Sequence, residues 1–291
     1  MHLALPTCSN LPDWEVDDRP LWGQLEDRGA RVARPVWDDA SVDWSEFDAV
    51  LVRTTWDYQE KLPAFLRWVG RVSRVSRLFN PARTLRWNTN KRYLADLESR
   101  GVAIVPTVWL EAGDTVDVAG LVASKGWTRA FLKPQVGATA RETLRFDTDE
   151  RGLAAAQAHV DRLLPHEGLM LQPYLASVEE VGELSLLFVE GGLTHAVRKV
   201  PVPGDYRVQD DFGASDFPVP VGAAEVDLGR SILRAASREP LLYGRVDFMT
   251  GPDGSLLLGE LELIEPSLFL RHDPHRGAVL AEALMARLEA A

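Results

Sequence analysis

Residues 243–264 read YGRVDFMTGPDGSLLLGELELI, two β-rich runs joined by Gly251-Pro252-Asp253-Gly254. A Gly/Pro/Asp cluster between such runs is the signature of a tight reversal between antiparallel strands. With Pro252 and Asp253 as the loop, Gly251 faces Gly254, and the register sets Arg245 opposite Glu260 with Asp247 on the diagonal. Strand side chains alternate with a period of two, so Asp247, Glu260 and Glu262 share one face with Tyr243 and Arg245. Like charges on neighbouring strands repel unless positive charge lies between them, and Arg245 alone is thin cover for three carboxylates. A hard divalent cation would supply it, because Mg²⁺ takes oxygen ligands and is commonly held by one or two carboxylates plus phosphate oxygens. The competing reading is a half-buried strand with a solvated acidic face; Asp247 on the partner strand favours the metal.

Upstream of this ribbon the chain opens strand–helix–strand, with His2 to Leu5 extended, Arg19 to Arg28 helical and closed by Gly29, and Arg31 to Pro35 extended. DAVLVR (48–53) is a nearly continuous apolar strand, as expected where helices cover both sheet faces, and Leu62 to Ser76 is helical. This resembles half of a doubly wound fold. It carries no GxGxxG, which removes the best support for a dinucleotide-dependent oxidoreductase. Phe79-Asn80-Pro81 reads as a break, followed by a helix from Asn90 to Arg100 and a strand from Ala103 to Leu110. All nine tryptophans lie between Trp14 and Trp127, so a differently built unit is expected beyond them. Residues 117–175 alternate short helices and strands, and the remainder adds strands near 183–189 and 194–199, a helix near 226–237, the hairpin and a closing helix near 277–288. The expected class is α/β with α+β, divided as 1–85, 86–116, 117–175 and 176–291.

Composition excludes several classes of function. The 291 residues are 46% hydrophobic and 26% charged, which is a globular balance, and the net charge of −11 would repel a phosphate backbone or an anionic membrane. The single cysteine, Cys8, rules out an intramolecular disulfide and any CxxC knuckle, and it reads as a buried small residue. MHLALP is cut by Pro6, and no uncharged apolar stretch approaches the roughly 18 residues of a spanning helix. The expectation is a cytoplasmic protein with no nucleic-acid or membrane partner; a homo-oligomer is left open.

Several separated motifs resemble those of the ATP-grasp ligases: FLKP (131–134), LQPYL (171–175), GDYRVQDDFG (204–213), GRVDF (244–248) and GELELIEPSLFL (259–270). LPDWEVDDRPL (11–21) and VDWSEFDAVLVRTTWDY (42–58) further resemble the D-cycloserine synthetase subgroup, so the likeness covers nearly the whole chain. It implies an ATP-grasp fold, in which a doubly wound-like N-terminal layer accompanies two α+β subdomains that clamp ATP. By position, Lys91 and Lys133 would touch the phosphates, and the small-residue loop with Gly137, Ala138, Thr139 and Ala140 would cover them. Gln172, Pro173, Tyr174 and Leu175 would form the hinge that holds adenine, with Glu179, Glu180 or Glu183 on the ribose. Arg207, together with Arg198 or Lys199, would meet the γ-phosphate and the acyl group, and Gln209 replaces an asparagine of relatives. The metal signature maps onto Asp247, Glu260 and Glu262, with Glu262 replacing asparagine and Glu265 the alternative third ligand.

The implied cofactors are ATP and Mg²⁺, and the implied partner is a small amino-acid-like substrate whose carboxylate is phosphorylated and then attacked by nitrogen. Substrate residues are expected from loops of the first layer, namely Asp17 or Asp18, Arg53, Thr54, Trp56, Asp57 and Tyr58, with Glu265, Ser267 and Arg271 opposite. Arg53 is suited to a carboxylate; Trp56 and Tyr58 also suit interface packing. His195 and His272 read as structural. Three activities follow: intramolecular cyclisation, joining of two molecules, or a nucleotide-binding regulator that lost turnover.

Overall fold

The computed structural model describes residues 1–11, 16–208, 212–273 and 275–290. The first layer comprises β1 (His2–Ala4), α1 (Arg19–Asp27), β2 (Arg31–Ala33), β3 (Ala49–Leu51), α2 (Leu62–Val75) and β4 (Arg77–Phe79). Its strands lie in the order β2-β1-β3-β4, all parallel, which requires crossovers; α1 links β1 to β2 and α2 links β3 to β4. Helix α2 buries Phe65, Trp68, Val69 and Val72, one face at helical spacing. That face packs into an aromatic cluster in which Trp44 meets Trp68 edge-on at 5.3 Å and Trp37 meets Phe65 at 5.5 Å. The expected break at Phe79 is instead the end of β4, a strand too short and too charged to display its period.

The helix expected over 90–100 is α4 (Tyr93–Ser99), and a further helix, α3 (Ala82–Asn88), precedes it. A second sheet holds β5 (Val108–Leu110), β6 (Arg129–Pro134), β7 (Leu144–Asp147) and β8 (Leu169–Pro173), with α5 (Val118–Lys125) between β5 and β6 and α6 (Glu150–Leu163) between β7 and β8. Its order is β5-β8-β6-β7, antiparallel throughout, and both helices pack on it through Val118, Val122, Ala156 and Val160.

The third sheet follows α7 (Ser177–Glu180) and contains β9 (Glu183–Val189), β10 (Gly192–Val200), β11 (Ser215–Pro218), β12 (Tyr243–Thr250) and β13 (Leu256–Glu262), with α8 (Ala223–Ala236) before the last two strands. It is antiparallel in the order β11-β10-β9-β12-β13. Alternation sorts its faces: Leu186, Phe188, Val246 and Phe248 pack with Leu94, Leu97 and Ile232 of the helices, while Ser185, Arg245 and Asp247 take the other side. Helix α9 (His275–Glu289) returns to α1, where a Cβ on Gly277 would sit 2.9 Å from the Leu21 amide nitrogen, so only glycine permits this approach. No described helix is long and apolar enough to cross a membrane.

The hairpin register differs from expectation. Arg245 lies opposite Glu262 and Asp247 opposite Glu260, with an irregularity between Asp247 and Phe248. The turn closes one residue wider, with the Gly251 amide donating to the Ser255 carbonyl, and Gly259 adds a bulge residue. Each change shifts pairing by one; together they shift it by two, so the acidic face survives a register error.

β13 is an edge strand, and its free backbone groups are capped by side chains from the linker helices. The Asn88 amide donates to the Leu261 carbonyl and its carbonyl accepts from the Leu263 amide, while the Tyr93 hydroxyl accepts from the Leu261 amide. The single strand expected over 103–110 is split at Pro106. Ala103 to Val105 pairs with Leu258 of the third sheet, and Val108 to Leu110 joins the second, so this stretch bridges the two.

Candidate active site

Between the second and third sheets, with one wall from the first layer, lies a cleft of about 360 Å³. Its size falls within the range of small-molecule sites. β12 and β13 project Arg245, Asp247, Glu260 and Glu262 into it, β9 and β10 add Glu183 and Lys199, β6 adds Lys133, and the linker adds Lys91. Gly182 sets the start of β9: its φ of +86° is left-handed, and a Cβ there would meet the Lys199 carbonyl at 2.5 Å.

These charges form one network. The Arg245 guanidinium reaches Asp247 at 2.9 Å and also binds Glu262, while Lys199 pairs with Glu183 and lies 3.4 Å from Asp247. Lys91 reaches Glu260 at 2.9 Å and donates to the Gly137 carbonyl at 2.6 Å, so one ammonium ties β13 to the loop of the second sheet. Burial raises the Asp247 carboxyl, but Arg245 and Lys199 outweigh it and bring the group down to about 2. Burial prevails at the neighbouring acids, pushing Glu262 up to about 7 despite Arg245, and Glu265, with Glu262 nearby, up to about 8. Burial also lowers the Lys133 ammonium, partly offset by Glu260, and among the described residues it has no hydrogen-bond or ion-pair partner.

Asp247, Glu260 and Glu262 share a face, but among the described residues no three His, Cys, Asp or Glu side chains are grouped to hold a metal ion. The physical reason is that Arg245 and Lys199 already bind two acids of this face and Lys91 the third. What the face presents are hard oxygen donors, with the Glu262 and Glu265 carboxyls raised chiefly by burial, and that set fits a Mg²⁺ shared between one or two carboxylates and phosphate oxygens.

Gln172, Pro173, Tyr174 and Leu175 line the opposite end with Val105, Phe131, Val178 and Met249, giving apolar walls beside backbone groups. The Gln172 side-chain amide donates to the Thr107 hydroxyl at 2.9 Å. Gly137, Ala138, Thr139 and Ala140 form the loop beside Lys133. Thr139 and Ala140 hold φ of 48° and 54°, a left-handed conformation that L-residues rarely adopt and that often marks functional loops.

Other expected residues lie elsewhere. Arg53, 1% exposed, donates from Nε and Nη2 to Asp18 and from Nη2 to the Pro266 carbonyl, so it braces the layer rather than facing the cleft. Thr54 bonds Thr7, Asp57 accepts from Trp37 and Lys61, and Tyr58 packs against Phe65; of that group only Trp56 reaches the cleft. Asp17 accepts from the Arg271 amide and the Ser267 hydroxyl, holding two cleft residues from behind. Glu180 is exposed and outside the cleft, and Glu179 binds Arg145. Arg198 donates to the Val181 carbonyl and does not line the cleft, because alternation along β10 sends Lys199 there instead.

Arg207 lines the cleft, with its guanidinium on Asp205 and 3.8 Å from the Phe212 ring centroid. Gln209 lies outside the described residues. His195 is buried, hydrogen-bonded to the Leu268 carbonyl and lowered to about 4 chiefly by burial. Thr143, Tyr206 and Phe269 also line the cleft; Tyr206 lies within GDYRVQDDFG and Phe269 within GELELIEPSLFL, whereas Thr143 lies in none of the quoted motifs.

The chain matches a family model described as the N-terminal domain of D-cycloserine synthetase DcsG over residues 3–80. It is 37% identical over 302 residues to the cycloserine biosynthesis protein DcsG of Streptomyces lavendulae, covering 99% of each chain. The crystal structure of D-cycloserine synthetase DcsG superposes with a TM-score of 0.89 at 32% identity, covering 99% of this chain and 100% of that one. The D-alanine–D-alanine ligase of Bacillus anthracis complexed with ATP shares the fold alone, with a TM-score of 0.67 at 12% identity over 100% of both chains. Full-length identity of that order, on this three-sheet fold and its charged cleft, shows that the chain belongs to the D-cycloserine synthetase family of ATP-grasp carbon–nitrogen ligases.

Proposed function

We propose that the protein closes the ring of an amino-acid-like substrate, converting O-ureido-D-serine to D-cycloserine with ATP and Mg²⁺ in the cytoplasm, as a step of antibiotic biosynthesis. One observation carries the reading: Lys133 on the second sheet, without a partner among the described residues, shares a buried cleft with the carboxylate face of β12 and β13, beside apolar residues of the hinge.

Magnesium-bound ATP would supply the phosphoryl group that turns the substrate carboxylate into an acyl phosphate; the oxyamine nitrogen of the same molecule displaces phosphate, and one water removes the ureido carbamoyl group from that nitrogen as carbon dioxide and ammonia. The side chains set up that exchange. Lys133 and Lys91 would hold phosphate oxygens, Asp247, Glu260 and Glu262 the metal, and the 137–140 loop would cover the chain of phosphates. Glu183 would accept from the ribose. Lys199, displaced from Arg198 by strand alternation, and Arg207 would offset charge at the transferred group. Holding the nitrogen and the activated carbonyl in one molecule and one cleft supplies proximity, and closure of the second sheet excludes the water that would hydrolyse the acyl phosphate.

The test is phosphate release with O-ureido-D-serine, read together with product mass. A product lighter than the substrate by one water and by the ureido carbamoyl group, the latter released as carbon dioxide and ammonia, is expected without a second amine. Release that appears only when a separate amine is added would sink the cyclisation and leave intermolecular ligation.

A further inference from the structure

The acids of the cleft are unequally matched. Glu183 binds Lys199, Asp247 binds Arg245 and Lys199, Glu260 binds Lys91, and Glu262 binds Arg245. Glu265 is the exception among the described cleft acids, since no ion pair and no hydrogen bond from another residue reaches its carboxylate. It is nonetheless only 8% exposed and lines the cavity. Its backbone is fixed: the Trp56 indole donates to its carbonyl at 3.1 Å, and Pro266 follows immediately. Arg53, the cation behind it, is held by Asp18 and the Pro266 carbonyl, and its remaining Nη1 makes no hydrogen bond.

A buried carboxylate without a partner is costly, and a preformed site holds one where a ligand brings the missing charge. Lys133, the unpartnered cation, sits on β6, whereas Glu265 lies past the end of β13 against the aromatic Trp56. Two ligands of opposite need are accommodated: an anion at Lys133 and a cation at Glu265. A compact alkylammonium fits the second position, because it supplies the opposite charge and its N–H groups donate to the carboxylate.

We propose that Glu265 anchors the α-ammonium of the substrate, so that the enzyme selects α-amino acids over otherwise identical acids. This rests on the ligase reading and specifies which end of the substrate lies against the first layer.

The experiment compares O-ureido-D-serine with 3-(ureidooxy)propanoate, the same compound without its amino group, by Mg²⁺- and ATP-dependent phosphate release. Wild type should disfavour the des-amino compound by about 10- to 100-fold in kcat/KM. Glu265→Gln should lose its preference mainly through KM, bringing the two compounds within about 3-fold of each other, while melting shifts induced by Mg²⁺-ADP show the variant folded. Equal treatment of both compounds by wild type overturns the proposal even if the variant does not fold. A preference that survives in Glu265→Gln, an equal loss of kcat on both compounds, or a weakened Mg²⁺ dependence would each overturn it too. Should wild type be inert toward O-ureido-D-serine but release phosphate with another amino acid, the cyclisation fails, and the same comparison with that acid and its des-amino counterpart decides the role of Glu265.

Discussion

The first layer and the cleft contain similar residues and treat their charges in opposite ways. In the layer, Arg53 meets Asp18, Asp57 meets Trp37 and Lys61, and Thr54 meets Thr7, so these three motif residues are engaged by neighbours within the layer. In the cleft, acids and cations outnumber good pairings, leaving Lys133 and Glu265 without partners among the described residues. A polar residue in a recognisable motif is thus a brace where its partner lies within the chain and a binding group where it does not.

The sharpest way to break this contrast is to remove one charge from each region. Arg53→Ala strands the Asp18 carboxylate in a site 1% exposed, and stability should fall by about 3–5 kcal/mol in denaturant titrations. If stability is unaffected and the loss falls on substrate affinity instead, Arg53 is a ligand-binding residue after all. Lys133→Met, of similar length, removes a charge that has no partner among the described residues. Activity should fall by about 10²–10³-fold in steady-state assays while the melting temperature holds or rises. A fall in melting temperature with activity retained would reverse the assignment.

The smaller effect is in pH. The Glu262 and Glu265 carboxyls are raised in the folded protein, so the unfolded chain releases their protons first. Their contribution to stability is therefore complete below the ordinary glutamate value and is lost as pH rises through about 7 to 8. Ligand-free protein should lose on the order of 1 kcal/mol or more between pH 5 and 8. Glu262→Gln should flatten that slope in melting curves recorded across the range; an unchanged slope would place its origin elsewhere.

Much of this architecture was legible beforehand because it depends on local pattern. The α/β layer showed itself in an apolar strand and an amphipathic α2, and the acidic face of the hairpin in a period of two. The register was not legible, because a wider turn and the bulge at Gly259 each add one residue and neither changes the local composition. The split at Pro106 escaped notice for a related reason, since one extended stretch serves two sheets. Lys199 rather than Arg198 enters the cleft by the parity of β10, which adjacent basic residues conceal.

From residue order alone came the carboxylate ribbon, the lysine placed before Pro134, the hinge and the likeness to a ligase family, all of which reside in short runs whose spacing the backbone enforces. Only the folded chain decided which charges are neutralised and which are left open. The pairs that settle this join residues 35 positions apart, as in Asp18 with Arg53, or 254 apart, as in Asp17 with Arg271. Whether a buried charge is satisfied depends on what the rest of the chain brings within a few ångströms, and no spacing within a motif contains that information.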